Sequence, residues 1–258
     1  MDYRILCVGD VVSPAGVHCL SRKLSSLRQS CKADFCIVNG ENASMVGLTP
    51  PQADAILAAG ADVITLGNHT WGKREICPYL DREERILRPE NLAEGLPGRG
   101  YGTFFCADRK LTVVNLIGRC GMDFGPNNPF LVIEKVLSAV KTPVIIDFHA
   151  EATSEKLAMA RMLDGKVTAV FGTHTHVPTA DCRVLPGGTG YVSDLGMTGP
   201  QDGVLGVKCE QSIALFRGEL TSRFAPEDGL CTLQAVLFTV DGATDRCKKA
   251  ERMDLYDI

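Results

Sequence analysis

Long apolar runs are missing from this 258-residue chain. The N-terminal stretch Met-Asp-Tyr-Arg-Ile-Leu-Cys-Val-Gly-Asp10 contains about five consecutive apolar residues, too few for a signal-peptide core or a membrane span. No other stretch approaches the roughly 18 apolar residues that a spanning helix needs. A soluble, cytoplasmic protein without a membrane partner is expected. Runs of five or more like charges are also missing, and the formal net charge is −4. Clustered Lys/Arg is what grips a long nucleic acid, so none is expected as a partner, although a local pocket for one small phosphate is compatible with this balance. There is no Cys-x-x-Cys pair among eleven cysteines. That weighs against a zinc–cysteine site and, with the odd number, suits a reducing compartment; Cys182, near a His-rich loop, is the one worth checking. Cys7, Cys36 and Cys106 lie in apolar strand-like runs, where a thiol acts as a small hydrophobe. No P-loop, Gly-x-Gly-x-x-Gly, internal repeat or Gly/Ser-rich linker interrupts the chain, and a single domain over residues 1–258 is favoured.

What is present is an alternation of short apolar runs and helix-like segments. Arg4–Val8 reads as a strand that stops at Gly9-Asp10, and Ser13-Pro14 as an N-cap and first helical proline opening a helix to about Arg28. Phe35–Asn39 is a second strand, ending in Gly40-Glu41-Asn42. Thr49-Pro-Pro-Gln52 has capping-box spacing and leads a helix to about Ala59. Val63–Leu66 is a third strand, ending in Gly67-Asn68-His69. Residues 84–130 look irregular apart from a strand at Leu111–Ile117. The pattern resumes with a helix from about Phe130 to Val140, a strand from Pro143 to Phe148 ending at His149, and a helix capped by Thr153 and running to about Leu163. A strand at Val167–Phe171 breaks at Gly172-Thr-His-Thr-His176, and β-like runs follow near Tyr191, Ser212–Leu215 and Leu233–Val240.

Repeatedly, an apolar strand breaks at a glycine and ligand-capable side chains follow at once. In open α/β sheets such loops gather beyond the carboxyl ends of the strands, where ligands bind. Four of the five histidines, His69, His149, His174 and His176, lie just past strand ends. His174 and His176 are one residue apart, and in an extended segment alternate residues face the same side. Any one of these histidines alone reads equally well as a hydrogen-bonded loop residue; together, beside Asp10, Glu41 and Asn68, they read as mixed nitrogen and oxygen ligands for a transition metal.

The ordered series Gly9-Asp10, Gly40-Glu41-Asn42, Gly67-Asn68-His69, His149 and Gly172-Thr-His174-Thr-His176 resembles the calcineurin-like metallophosphoesterase superfamily. More narrowly, Asn39–Asn42, Gly67–Trp71, Asp147–Lys156, Gly172–His176 and Asp194–Pro200 resemble the bacterial YmdB-like phosphodiesterases, in stretches from residue 4 to about residue 206. The resemblance implies a four-layer α/β/β/α sandwich of two mixed sheets flanked by helices, with a dinuclear site at the strand ends. It implies that Asp10, Glu41, Asn42 and His176 hold a first metal, that Asn68, His149 and His174 hold a second, and that Glu41 bridges them. His69 is then no ligand but faces the substrate phosphate. The broad superfamily has Asp-x-His as its first motif and Asp as its bridge; here Val12 and Glu41 stand at those positions, as is the rule in the narrower group, with Asn42 left to supply an oxygen.

Two divalent ions about 3.5–4 Å apart clamp a phosphoryl oxygen and make a bridging water acidic, and the resulting hydroxide attacks phosphorus in line. His69 as imidazolium would protonate the leaving alkoxide. Iron or manganese comes first as the metal, with zinc or magnesium behind. The substrate class implied by resemblance is a small nucleotide phosphodiester, 2′,3′- or 3′,5′-cyclic, and self-association into a homo-oligomer is suggested in the same way. A phosphomonoesterase or nuclease would use the same centre, and a metal- or nucleotide-binding regulator acting through protein or RNA is the alternative from another class. Asp147 and Glu151 read equally as acceptors orienting an imidazole or as solvated or capping residues. Trp71 could stack a base but reads first as packing; Arg119 could meet a phosphate but reads first as a surface salt bridge; the glycines of Asp194–Gly199 and Gly203 fit tight turns near the site.

Overall fold

The computed structural model describes residues 1–123 and 125–257. In chain order its elements are β1 (Tyr3–Val8), β2 (Asp10–Val11), α1 (Ser13–Ser30), β3 (Phe35–Asn39), α2 (Pro50–Ala58), β4 (Val63–Thr65), α3 (Cys77–Leu80), β5 (Ile86–Leu87), β6 (Tyr101–Cys106) and β7 (Arg109–Ile117). They continue as α4 (Pro129–Ala139), β8 (Val144–His149), α5 (Thr153–Met162), β9 (Ala169–Thr173), β10 (Arg183–Val184), β11 (Gly190–Val192), β12 (Met197–Pro200), α6 (Cys209–Phe216), β13 (Cys231–Leu233), β14 (Ala235–Val240), β15 (Cys247–Arg252) and β16 (Leu255–Tyr256).

The strands are apolar on both faces because both faces are covered. In β1, Ile5 and Cys7 point into one core while Leu6 and Val8 point into another; in β3, Phe35 and Ile37 separate in the same way from Cys36 and Val38. The first large sheet runs β15-β14-β1-β3-β4-β5, parallel from β1 to β5 and antiparallel at β14 and β15. The second runs β10-β11-β9-β8-β7-β6, parallel from β11 to β7 with antiparallel outer strands. A middle core joins the two sheets through Ile5, Ile37, Val113, Ile145 and Phe171. Outer cores join the first sheet to α1 and α2 and the second to α4 and α5. This is the four-layer α/β/β/α sandwich of two mixed sheets. A third, four-stranded sheet, β16-β13-β12-β2, is an addition to it, and the two-residue strand β2 carries Asp10.

Several local expectations need correction. Ser13 is not the N-cap of α1: Val12 is, and Ser13 has φ +68° and donates its N–H to the Asn42 carbonyl at 2.9 Å. The Ser13 hydroxyl still accepts from the Ala15 N–H at 3.2 Å. Thr153 does not cap α5; the cap is Ala152, without a side-chain bond, and Thr153 is exposed. Ser212–Leu215 is helical, within α6, and Gln211 ties that helix to the loop after it through the Ala225 N–H and the Arg223 carbonyl. Within the stretch that looked irregular, β6 pairs with β7 as a hairpin. The Thr49–Gln52 capping box is present. Among the described residues no helix is long and apolar enough to cross a membrane.

Candidate metal centre

The carboxyl ends of β3 and β4 in one sheet and of β8 and β9 in the other meet at one edge of the sandwich, and polar side chains stitch them together. Asp147, fully buried on β8, accepts from Thr173 Oγ1 at 2.7 Å within its own sheet. Across the gap it accepts from Asn39 Nδ2 at 3.1 Å and Thr65 Oγ1 at 2.5 Å. Asn39 in turn receives the Glu41 N–H on its side-chain oxygen at 3.1 Å. A buried carboxylate without such partners would be costly; this one spends its lone pairs aligning the two sheets.

Glu41 lies directly beyond β3, fully buried, with Oε1 3.0 Å from His149 Nε2 and Oε2 accepting the His69 N–H at 3.0 Å. Asn68 Oδ1 is 2.8 Å from the same His149 nitrogen, and His174 Nδ1 is 3.1 Å from it. Donor atoms of Glu41, His149 and His174 all fall within 4.8 Å of one another. Beside this trio, Asn42 Nδ2 lies 3.2 Å from Glu41 Oε1 and 3.1 Å from His176 Nε2, while Asp10 Oδ1 lies 3.9 Å from His176 Nε2. The structure therefore brings all seven candidate ligands to one edge, in two groups that share Glu41. The nitrogen end of Asn42 faces the carboxylate; a cation there would call for its oxygen end.

Each imidazole has its second nitrogen tied outside the cluster. Thr173 Oγ1 gives its proton to Asp147 and so accepts at 2.9 Å from His149 Nδ1–H, which leaves Nε2 facing inward. His174 Nε2 is 3.2 Å from Glu151 Oε2, leaving Nδ1 inward. His176 Nδ1 is 3.3 Å from the Leu205 carbonyl, leaving Nε2 inward. Metal-ligating histidines are held in this way, the outer bond fixing tautomer and ring orientation.

The inner surface also carries charge suited to a cation. Asp10 Oδ1 is buried with no hydrogen-bond partner among the described residues, although Oδ2 accepts the His174 N–H at 3.2 Å. Burial pushes the Asp10 carboxyl well above its usual range against the pull of His149. It is a carboxylate short of positive charge. Burial acts on Glu41 in the same sense, but His149 and His69 outweigh it and hold that carboxyl at about 2. Glu41 and Asp10 carry His149 up to about 9 against its burial. Burial and the neighbouring His149 charge push His174 down to about 3. At Gly67 a Cβ would stand 2.3 Å from His149 Cδ2 and 2.4 Å from Glu41 Oε2, so the loop can close around the cluster only without a side chain. Orphaned carboxylate oxygen, inward-turned imidazoles and mixed N/O donors fit divalent transition metals.

The alternation argument for His174 and His176 does not hold. β9 ends at Thr173, and the two histidines reach the site through left-handed backbone, with φ +101° and +62°. For residues other than glycine this costs on the order of 1–3 kcal/mol each. Asp194 counters that strain: Oδ2 accepts the Thr175 N–H at 3.1 Å and the Lys156 ammonium at 2.8 Å, and Lys156 also donates to the Thr173 carbonyl at 2.9 Å. Sequence reasoning missed this buried pair; a lysine on the buried face of α5 is the signal that could have found it. Asp147 serves as an acceptor, through Thr173, while Glu151 is an ion-pair neighbour of His174 Nε2. The Arg119 side chain is exposed; its backbone N–H is held by Glu155. All eleven cysteines are free, and burial lifts Cys182 to about 11, an inert thiol.

Two facing mixed sheets hold this cluster at their common edge, a donor set suited to metal-assisted hydrolysis. The sequence profile of the YmdB-like protein family matches residues 6–253, and the chain belongs to that family. The chain is 44% identical over 260 aligned residues to the 2′,3′-cyclic-nucleotide 2′-phosphodiesterase of Bacillus subtilis, covering 98% of this chain and 97% of that one. The crystal structure of a phosphatase from Mycoplasma pneumoniae superposes with a TM-score of 0.93 at 35% identity, over 99% of this chain and 94% of that one. The NAD nucleotidase of Haemophilus influenzae shares the fold alone, with a TM-score of 0.63 at 12% identity over 99% of this chain and 56% of that one.

Proposed function

We propose that this chain is a dinuclear-metal phosphodiesterase that hydrolyses small cyclic nucleotide phosphodiesters, the 2′,3′-cyclic monophosphates ahead of the 3′,5′. The observation that carries the metal centre is the set of three imidazoles, each tied on its outer nitrogen and turned inward on the other, around a buried Glu41. The substrate class is supported by the near full-length likeness to the Bacillus subtilis enzyme.

Asp10, Glu41, Asn42 and His176 would hold one divalent ion and Asn68, His149 and His174 the other, with Glu41 shared. Bound there, two such ions supply charge to the phosphoryl oxygens and bring the pKa of a water toward neutrality. The residues of the chain do the rest. Thr173 and Leu205 hold the His149 and His176 rings by their outer nitrogens, and Glu151 stands beside the outer nitrogen of His174. Asp147 fixes Asn39, and through it the backbone at Glu41, against the His149 strand. His69 is half-buried at the rim, its backbone anchored on Glu41 and its ring 3.3 Å from the Asn68 amide nitrogen. From there it hands a proton to the leaving sugar oxygen.

The test is a side-by-side assay of metal-loaded protein on 2′,3′-cyclic AMP, 3′,5′-cyclic AMP, bis-p-nitrophenyl phosphate and p-nitrophenyl phosphate. The proposal expects the 2′,3′-cyclic diester to give the largest kcat/KM. A clear preference for the monoester would overturn it.

A further inference from the structure

We infer that the cavity between Trp71 and Ile117 is the subsite for the nucleobase of the substrate, an inference that rests on the phosphodiesterase reading above. The cavity holds about 180 Å³ and is lined by Gly67, Asn68, Trp71, Leu92, Leu96 and Ile117. Two of these belong to the metal loop itself: Asn68 Oδ1 lies 2.8 Å from His149 Nε2, and Gly67 packs on His149 and Glu41. Ile117 is the register partner of His149 across β7 and β8. The cavity and the metal cluster therefore share a wall.

Its chemistry matches one part of a nucleotide. No charged side chain lines it, so it offers nothing to a phosphate or carboxylate and favours a neutral, flat, apolar group. Its volume is below the roughly 300–1,000 Å³ of pockets that take a whole drug-sized ligand, and it suits one ring system. A cyclic phosphate on the 2′ and 3′ oxygens and a base on the neighbouring carbon leave the same five-membered sugar, so a phosphate seated at the metals must place its base within a short reach. Trp71 supplies the aromatic surface on which any base can stack. It is half-buried and also rests on the outer core of the first sheet, which fixes it for that task.

Trp71 is the sole tryptophan, so its fluorescence reports on the cavity without a label. Metal-loaded protein is titrated with adenosine and, separately, with ribose 2,3-cyclic phosphate, which lacks a base. Turnover of that base-free diester is compared with turnover of 2′,3′-cyclic AMP. Ala93→Phe, at an exposed residue that lines the cavity, places a ring in the space. The expected result is saturable quenching by adenosine only, and a kcat/KM for the nucleotide roughly ten- to a hundredfold above that of the base-free diester. In Ala93→Phe both the quenching and that gap should disappear, with metal content as in the parent. Equal kcat/KM for the two diesters, no saturable quenching, or a gap that survives Ala93→Phe overturns the subsite. If neither diester is turned over while adenosine quenches and Ala93→Phe abolishes the quench, the subsite stands and the phosphodiesterase reading falls.

Discussion

Glu41 Oε1 and His149 Nε2 lie 3.0 Å apart, although Glu41 follows a strand of one large sheet and His149 ends a strand of the other. The contact spans the sandwich, so the centre depends on the two sheets meeting in register. Glu41→Gln keeps the shape and removes the shared charge. The expected outcome is loss of both metals on elemental analysis and loss of turnover, with the fold intact by circular dichroism. Two ions still tightly held by that variant would remove Glu41 from its bridging place.

Thr173 acts at one remove, by accepting His149 Nδ1–H. Thr173→Val should lower metal affinity or activity by about 10–100-fold, the usual effect of losing such an orienting partner, and Thr173→Ser should restore most of it. Metal titration of the three proteins by calorimetry decides the matter. A valine variant that binds like the parent would mean the hydroxyl orients nothing.

His69→Ala should keep its metals and lose about 10²–10⁴-fold in kcat on a nucleotide diester, the worth of a general acid. On bis-p-nitrophenyl phosphate, whose leaving group needs little protonation, the loss should be much smaller. Equal losses on both substrates would contradict the role.

Lys156 and Asp194 form an ion pair that is almost wholly buried. Lys156→Met leaves the carboxylate without its cation, which typically costs about 3–5 kcal/mol. Urea denaturation should show a midpoint lowered accordingly. Because Asp194 also holds the Thr175 N–H, metal binding should weaken in the same variant.

Asp181 gives a pH signature away from the metals. Burial would raise its carboxyl, but bonds from Ser193 and Thr179 outweigh that and hold it below the usual range. A folded-state value below the unfolded one contributes stability above the unfolded value, near about 3.9, and loses it as pH falls through the folded value. Asp181→Asn should therefore be less stable than the parent at neutral pH, with the difference shrinking under acid. A constant difference across that range would show that the charge is not responsible.

Much of the centre could be read from residues alone because strand, glycine and ligand follow one another directly, as at Asn39-Gly40-Glu41 and Leu66-Gly67-Asn68. The elements that escaped were those whose identity depends on a distant partner. β2 is two residues long and exists only because β12 pairs with it. β6 carries Gly102, a poor strand former, and is held by its hairpin with β7. The apolar residues of Ser212–Leu215 suit a strand, but among the described residues no strand pairs there and local helical bonds win. The tether of His176 is the backbone carbonyl of Leu205, which residue type cannot reveal. The inward turn of His174 and His176 likewise comes from left-handed backbone held by Asp194 and Lys156, not from strand alternation.

The most direct measurement is the metal content of anaerobically purified protein, followed by stepwise reloading of the stripped chain while turnover of 2′,3′-cyclic AMP is recorded. Two ions per chain, with activity complete only as the second site fills, is the result predicted. Full turnover with one ion per chain, or with none, would contradict a centre built on a shared Glu41.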